Sequence, residues 1–403
     1  MASSINASTS GAGGVITTAD NTGNLELQSS GSAIATLSST GLSMATGKTF
    51  SVGGVTGSPY AMKNRIINGA MTVSQRGSTS TTVSAFAYGV DRFGAYESTS
   101  ATSVTATQSS TAPAGFINSL LYTVGTGGTA TAAQQAYIRT KIEGLNISDL
   151  AWGTASAATV TLSFWVRSSL TGTYCVYFKN SAQDRSYVST YTISTANTWE
   201  QKTITVAGDT SGTWLTTNGI GIELGFDLGS GSNSNTTANT WAAGSFANTS
   251  AQANLIGTSS ATFYLTGVQL EVGSSATSFE FKLYNQELAN CQRYYYRITA
   301  TASYQLYGSG FAEVSTLSYA FVKFPVTMRT NPTALESSGT NSNYFIIYQN
   351  QSTACTATPS FYQTMTNEGC GVMLTCAALL TSGNGVMHRI DVSGAYLGWS
   401  AEL

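Results

Sequence analysis

The sequence predicts an all-β protein, and three observations carry that prediction. β-Branched and aromatic residues recur in short alternating runs, breaks of Gly, Ser, Thr and Asn separate the runs, and one stretch only shows a helical period. Charged residues make up 9% of the 403, so Ser, Thr and Asn must carry solubility. The hydrophobic fraction of 42% excludes a disordered chain despite the repetitive look of the loops.

Residues 1–62 form the first segment. It holds very short alternating units, Leu25/Leu27, Ile34/Leu37, Leu42/Met44 and Phe50/Val52, separated by glycines at 23, 31, 41, 47 and 53. Each unit points two apolar residues one way, too few to enclose a core within one chain. The segment is expected to be a shaft intertwined with other copies, with a floppy linker as the alternative.

Residues 63–282 are expected to be a jelly-roll β-sandwich. Strands are expected near 66–74, 102–108, 136–142, 159–167, 174–179, 187–194, 199–206, 219–228 and 262–272, a spacing that suits two packed antiparallel sheets. "SFWVRSSLTGTYCVYFKN" (163–180) reads as a hairpin whose core face is Val160, Leu162, Phe164 and Val166. Its other face carries Trp165, Arg167, Tyr177 and Lys179. In "GIGIELGFDLG", Glu223 and Asp227 share the outward side, so all six would meet on one sheet if these strands are neighbours. The face then reads as a glycan cleft or as packing and subunit interface, with packing favoured because Trp and Tyr are enriched at interfaces. The long loop 229–250 carries Trp241 and Phe246, read as loop anchors or as receptor contacts.

Residues 283–297 are expected to be a linking helix, with Asn285 as its cap and Leu288, Cys291 and Tyr295 on one face. The run "RYYY" (293–296) cannot point one way on a helix, which marks a junction between domains or subunits. Cys291, Tyr294 and Tyr295 are therefore interface candidates. Residues 298–403 return to β patterning and are expected to form a C-terminal β-sandwich.

Chemistry is sparse. The five cysteines, Cys175, Cys291, Cys355, Cys370 and Cys376, are irregularly spaced, which argues against a disulfide framework. With one histidine and no CxxC pair, no metal site and no cofactor are expected. Glu223 and Asp227 stand about 13 Å apart along a regular strand, outside the glycosidase spacings. His388 and Asp391, three residues apart, face opposite sides of a strand, and no G-x-S-x-G elbow accompanies them. The net charge of −2 lacks a basic cluster, so nucleic acid is not an expected partner. No apolar run is long enough for a membrane span, and no secretory signal is visible.

Several phrases occur in an order that resembles the central domain of bacteriophage tail-fibre and related virion fibre proteins. They are "NRIINGAMTVSQRG" (64–77), "DRFGAY" (91–96), "LSFWVRSSLTGTYCVYFKNS", "ANTWEQKTITVAGDTSGTW" (196–214), "GIGIELGFDLGSGS" (219–232), "TFYLTGVQLEVGSSATSFE" (262–280) and "ELANCQRYY" (287–295). The resemblance covers roughly 63–296. It implies a carbohydrate-binding-module-like jelly roll on a fibre that is usually trimeric. The expectations that follow are a non-enzymatic homotrimer made in the host cytoplasm and located in the virion. It would join other virion proteins through its N-terminus. Its C-terminal domain would contact a host surface glycan or outer-membrane receptor. The alternatives are a purely structural capsid or baseplate fibre, a polysaccharide depolymerase, and a secreted lectin.

Overall fold

The computed structural model describes residues 3–7, 15–17, 24–39, 41–45, 51–52, 55–56, 62–77, 81–83, 86–98 and 103–403. Gly23, Gly47, Phe50, Gly53 and Thr102, which figure in the expectations above, lie outside the described residues. The chain divides into two units, Met1–Met62 and Lys63–Leu403.

The described residues of the first unit hold a five-stranded sheet in the order Val15–Thr17, Ser3–Ala7, Leu25–Ser29, Ser32–Ser38, Gly41–Met44, and a two-stranded one, Ser51–Val52 with Val55–Thr56. Ser30 and Gly31 both take positive φ (51° and 76°), the two-residue turn whose twist matches a hairpin. Among the described side chains of this unit only Ala35 is buried, and Leu37 and Leu42 are exposed. Thus the described residues of the five-stranded sheet enclose no core of their own.

The second unit begins with a sandwich. One sheet runs Trp241–Ala243, Arg185–Ile193, Gly172–Lys179, Ile220–Asp227, Ala136–Glu143, Phe93–Glu97, Phe86–Val90. The other runs Glu200–Val206, Val160–Ser168, Thr262–Val272, Ser119–Val124, Val104–Ser109, Thr81–Val83. All pairings in both sheets are antiparallel. The inward residues of both sheets form one core, with Phe164 packed 5.0 Å from Tyr191 and 4.9 Å from Phe226 across the sandwich. Each such ring contributes roughly 1.5–3 kcal/mol through burial.

Segment 163–180 is not a hairpin. Val160–Ser168 pairs with Glu200–Val206 and Thr262–Val272, whereas Gly172–Lys179 pairs with Arg185–Ile193 and Ile220–Asp227. The chain turns a corner from one sheet to the other. The buried Tyr174 fixes that corner: its hydroxyl lies 3.0 Å from Ser168 Oγ and donates to the Leu170 carbonyl at 3.1 Å. Alternation looks the same in a hairpin and in a corner, because both put one apolar face on the core.

Two further expectations are corrected. Segment 66–74 contains no strand, because Asn68 and Met71 adopt left-handed φ (60° and 56°). The Asn68 side chain closes the turn, donating to the Val73 and Asp91 carbonyls at 2.8 Å each. The linking helix covers only Tyr284–Gln292, and its N-cap is Leu283 without a side-chain bond, so Asn285 does not cap it. Tyr295 and Tyr296 belong to a strand, Tyr295–Thr299, paired with Tyr396–Ser400, since a tyrosine run suits a pleated surface better than a helix end.

The last part is a smaller sandwich. The strands Tyr295–Thr299, Tyr396–Ser400 and Ala334–Ser337 form one sheet. Gln351–Ala354, Tyr344–Tyr348, Gly385–Ile390, Gln305–Val314, Leu317–Lys323, Gly369–Thr375 and Ser360–Met365 form the other. Trp399, Tyr344, Ile346, Val372 and Ile390 lie in its core. The all-β class and the sandwich architecture are as the sequence predicts.

Candidate functional site

The sheet faces decide which residues can meet a ligand. Trp165 and Arg167 lie on the six-stranded sheet, half-buried, with Arg167 5.0 Å over the Tyr264 ring. Tyr177, Lys179, Glu223 and Asp227 lie on the other sheet and are 0%, 2%, 3% and 0% exposed. The six residues therefore do not share a face. Loop 229–250 covers the second group: Phe246 and Ala247 pack with Tyr137, Cys175, Tyr177 and Val188, and Lys179 Nζ donates to Ser245 Oγ at 3.1 Å.

Each carboxylate there already has a partner. Glu223 pairs with Arg139 at 3.1 Å and accepts from Tyr177 Oη at 3.3 Å. Asp227 Oδ1 accepts from the backbone N–H of Gly229 and Ser230 at 3.0 Å each. Burial pushes the Asp227 carboxyl up to about 6, even though these hydrogen bonds act to lower it. The strand shows no register shift between Glu223 and Asp227 in its pairing with Gly172–Lys179, so their wide spacing stands.

Trp241 enters an intramolecular cluster, 5.4 Å from both Trp152 and Trp214, and its Nε1 donates to the Ala207 carbonyl at 2.8 Å. Cys291, Tyr294 and Tyr295 are fully buried within the one chain, so none offers a surface to another subunit. Tyr294 Oη donates to Glu143 at 2.6 Å, which joins the two sandwiches, and Tyr295 Oη donates to Glu336 at 2.7 Å within the second. His388 is fully buried, with Nε2 2.9 Å from Ser318 Oγ, and burial pushes its pKa down to about 3. Asp391 pairs instead with Arg389.

A large exposed aromatic surface lies elsewhere, on the outward face of the seven-stranded C-terminal sheet. Alternation along Leu317–Lys323 sends Ser318, Ala320 and Val322 inward and Tyr319 and Phe321 outward. Cross-strand registry sets Phe311 opposite Tyr319, and Tyr362 opposite Gly371. The Tyr319 and Tyr362 rings stack at 3.8 Å with planes 13° apart, and Phe311 meets Tyr319 edge-on at 4.2 Å. Phe321 is 61% exposed and Phe311 44%. The rings can lie low because glycines sit beneath them: a Cβ at Gly369 would come within 2.4 Å of the Phe321 ring. The resulting groove holds about 270 Å³ and is lined in part by Ser309.

Tyr362 Oη donates to Glu313 at 3.4 Å. Its hydroxyl, hydrogen-bonded to that of Tyr319 and close to the Glu313 carboxylate, is pushed up to about 12 and stays protonated at neutral pH. The face thus joins an aromatic platform to fixed polar groups, the combination that receives the apolar face and the hydroxyls of a sugar ring. The sequence carried a signal for it in the alternating glycines of "GCGVMLT", which clear space on one side of a strand.

No protein-family model matches the chain, and no curated protein matches it in sequence. Among solved structures it is similar to the enzymatically active domain of bacteriophage CBA120 tailspike protein 4. The identity is 13% and the TM-score 0.28, over 54% of this chain and 22% of that one. It is similar to a family 11 carbohydrate-binding module from Clostridium thermocellum in complex with a mixed-linked tetrasaccharide, at 11% identity and TM-score 0.26, over 48% and 97%. It is also similar to the C-terminal family 22 carbohydrate-binding module of Clostridium thermocellum Xyn10B, at 11% identity and TM-score 0.25, over 47% and 89%. At these TM-scores the fold assignment rests on the strand order given above.

Proposed function

We propose that this chain is a non-enzymatic subunit of a bacteriophage virion fibre that attaches the particle to its host. The attachment is to a surface glycan, bound on the outward aromatic face of the C-terminal sheet. The observation that carries the reading is the stacked Tyr319–Tyr362 platform flanked by the exposed Phe311 and Phe321. The ordered fibre-like phrases over 63–296 support the virion role. The thin N-terminal sheet, with Leu37 and Leu42 exposed, supports assembly with further copies, a homotrimer that meets other virion proteins through this end. Weak sites repeated three times would gain avidity.

The test is an array of bacterial surface polysaccharides probed with the purified full chain and with Tyr362→Ala. The chain binds one or more of them, and the variant loses at least tenfold in affinity while keeping its circular dichroism spectrum. Equal binding by the two proteins removes the aromatic face from the account. Release of reducing ends from a bound polysaccharide replaces the attachment reading with a depolymerase.

A further inference from the structure

A second cleft lies on a different surface, where the edge strand Phe86–Val90 of the first sandwich meets the sheet of Tyr295–Thr299, Tyr396–Ser400 and Ala334–Ser337. It encloses about 490 Å³. Small-molecule sites fall in the range of roughly 300–1,000 Å³. Phe86 and Tyr88 line it from the first sandwich, and Arg297, Glu336 and Tyr396 from the second, together with Arg76.

The two arginines differ. Arg76 is held between rings, 4.4 Å from the Tyr88 centroid and 3.4 Å from that of Tyr295, and its charge is met by Glu402 at 3.4 Å and Glu336 at 3.9 Å. The Arg297 guanidinium lies over the Tyr396 ring, 3.5 Å from its centroid. Its Nη1 donates to the Arg76 carbonyl at 2.8 Å and its Nε to Thr299 Oγ1 at 3.0 Å. Among the described residues, no carboxylate pairs with Arg297 and no hydrogen bond leaves its Nη2. Its plane is thus fixed on two sides and on one ring face, with one edge left for a ligand.

We propose that this cleft binds an acidic saccharide, a sugar ring carrying one carboxylate, with the Nη2 edge of Arg297 taking the carboxylate. Phe86 and Tyr88 flank the ring, and the half-exposed Glu336 accepts from its hydroxyls. The charge balance selects a monoanion. Arg76 is already met by Glu402 and Glu336, so Arg297 supplies the unpaired positive charge of the lining, which a single negative charge neutralises, whereas a phosphate dianion would face Glu336 in excess. A neutral sugar would leave the Arg297 edge desolvated and unpaired, which is the stronger source of discrimination.

The test is calorimetric titration of the full chain with tetragalacturonate, its methyl ester, glucuronate and inorganic phosphate. The acid binds at least tenfold more tightly than the ester, its affinity falls with added salt, and millimolar phosphate does not displace it. Arg297→Gln removes the preference for the acid, and Arg297→Lys restores part of it, with thermal midpoints of both variants checked against the native chain. The two sites are read separately: the acid-over-ester preference reports on Arg297, and binding on the polysaccharide array reports on Tyr362. Equal affinity for acid and ester overturns the proposal. So does displacement by phosphate, or failure to bind both tetragalacturonate and glucuronate.

Discussion

Replacing Asp227 by Asn should stabilise the protein above neutral pH, although it removes a carboxylate the sequence offered as functional. Asp227 is fully buried, its Oδ1 accepts from two backbone N–H groups, and its Oδ2 has no hydrogen-bond partner among the described residues. Burial raises the folded-state pKa to about 6 from an ordinary carboxylate value of 3.8. The native state therefore binds the proton more tightly than the unfolded state does. The contribution of this group is fully present below the unfolded value and is lost as pH rises through about 6. Relative to a permanently neutral group, the ionisable carboxyl costs roughly 3 kcal/mol of stability at pH 8 and only about 0.5 kcal/mol at pH 4. Asn mimics the neutral acid, so the variant should exceed the native chain by up to about 3 kcal/mol at pH 8 and hardly at all at pH 4. Urea unfolding followed by tryptophan fluorescence reads this, since the Trp152, Trp214 and Trp241 cluster sits in the same sandwich. A variant less stable than the native chain at pH 8, or equally shifted at both pH values, would refute the reasoning.

Glu143 behaves oppositely. Burial raises its pKa, but hydrogen bonds from Arg293 and Tyr294 outweigh burial and hold it below the usual range. Its stabilisation is present above the unfolded pKa and lost as pH falls through the folded one, and Glu143→Gln should cost about 2–4 kcal/mol at pH 7 in the same unfolding assay. His388, held neutral with a pKa near 3, should show no imidazole titration by NMR between pH 8 and 4.5. The unfolded chain takes up that proton below about 6.5, so this group costs about 2 kcal/mol of stability at pH 5. Trp241→Ala should lower stability by about 2–4 kcal/mol through the lost ring cluster, read as a drop in thermal midpoint. The five buried thiols should resist a thiol reagent until urea unfolds the chain, with burial pushing Cys175 up to about 11 and Cys355 to about 12.

Much of the strand set was legible because alternation and breaks are local signals. Ala136–Glu143, Gly172–Lys179, Ile220–Asp227 and Thr262–Val272 fall where those signals lie. What alternation cannot encode is which strand pairs with which. Segment 163–180 shows this: its two halves share an inward face by crossing the sandwich, so Trp165 and Tyr177 end on opposite sides of the molecule. Phe86–Val90 and Phe93–Glu97 show no clear alternation because Gly89 and Gly94 interrupt the pattern, yet those glycines make room for Leu120 and for the Phe86 ring. Glu223 and Asp227 could be read as a glycan cleft or as packing because a strand pattern shows one core face and leaves open whether a loop buries the other. Here loop 229–250 does so, and the aromatic face that stays open lies in the C-terminal sheet, where only the glycines of "GCGVMLT" hinted at it.

The central claim is attachment through the C-terminal aromatic face. Its most direct measurement is competition between soluble full-length chain and virions for adsorption to host cells, with Tyr362→Ala as the matched protein. The account predicts that the native chain blocks adsorption and that the variant needs at least tenfold more protein for the same effect. A native chain that does not compete at saturating concentration, or a variant that competes as well as the native chain, would contradict it.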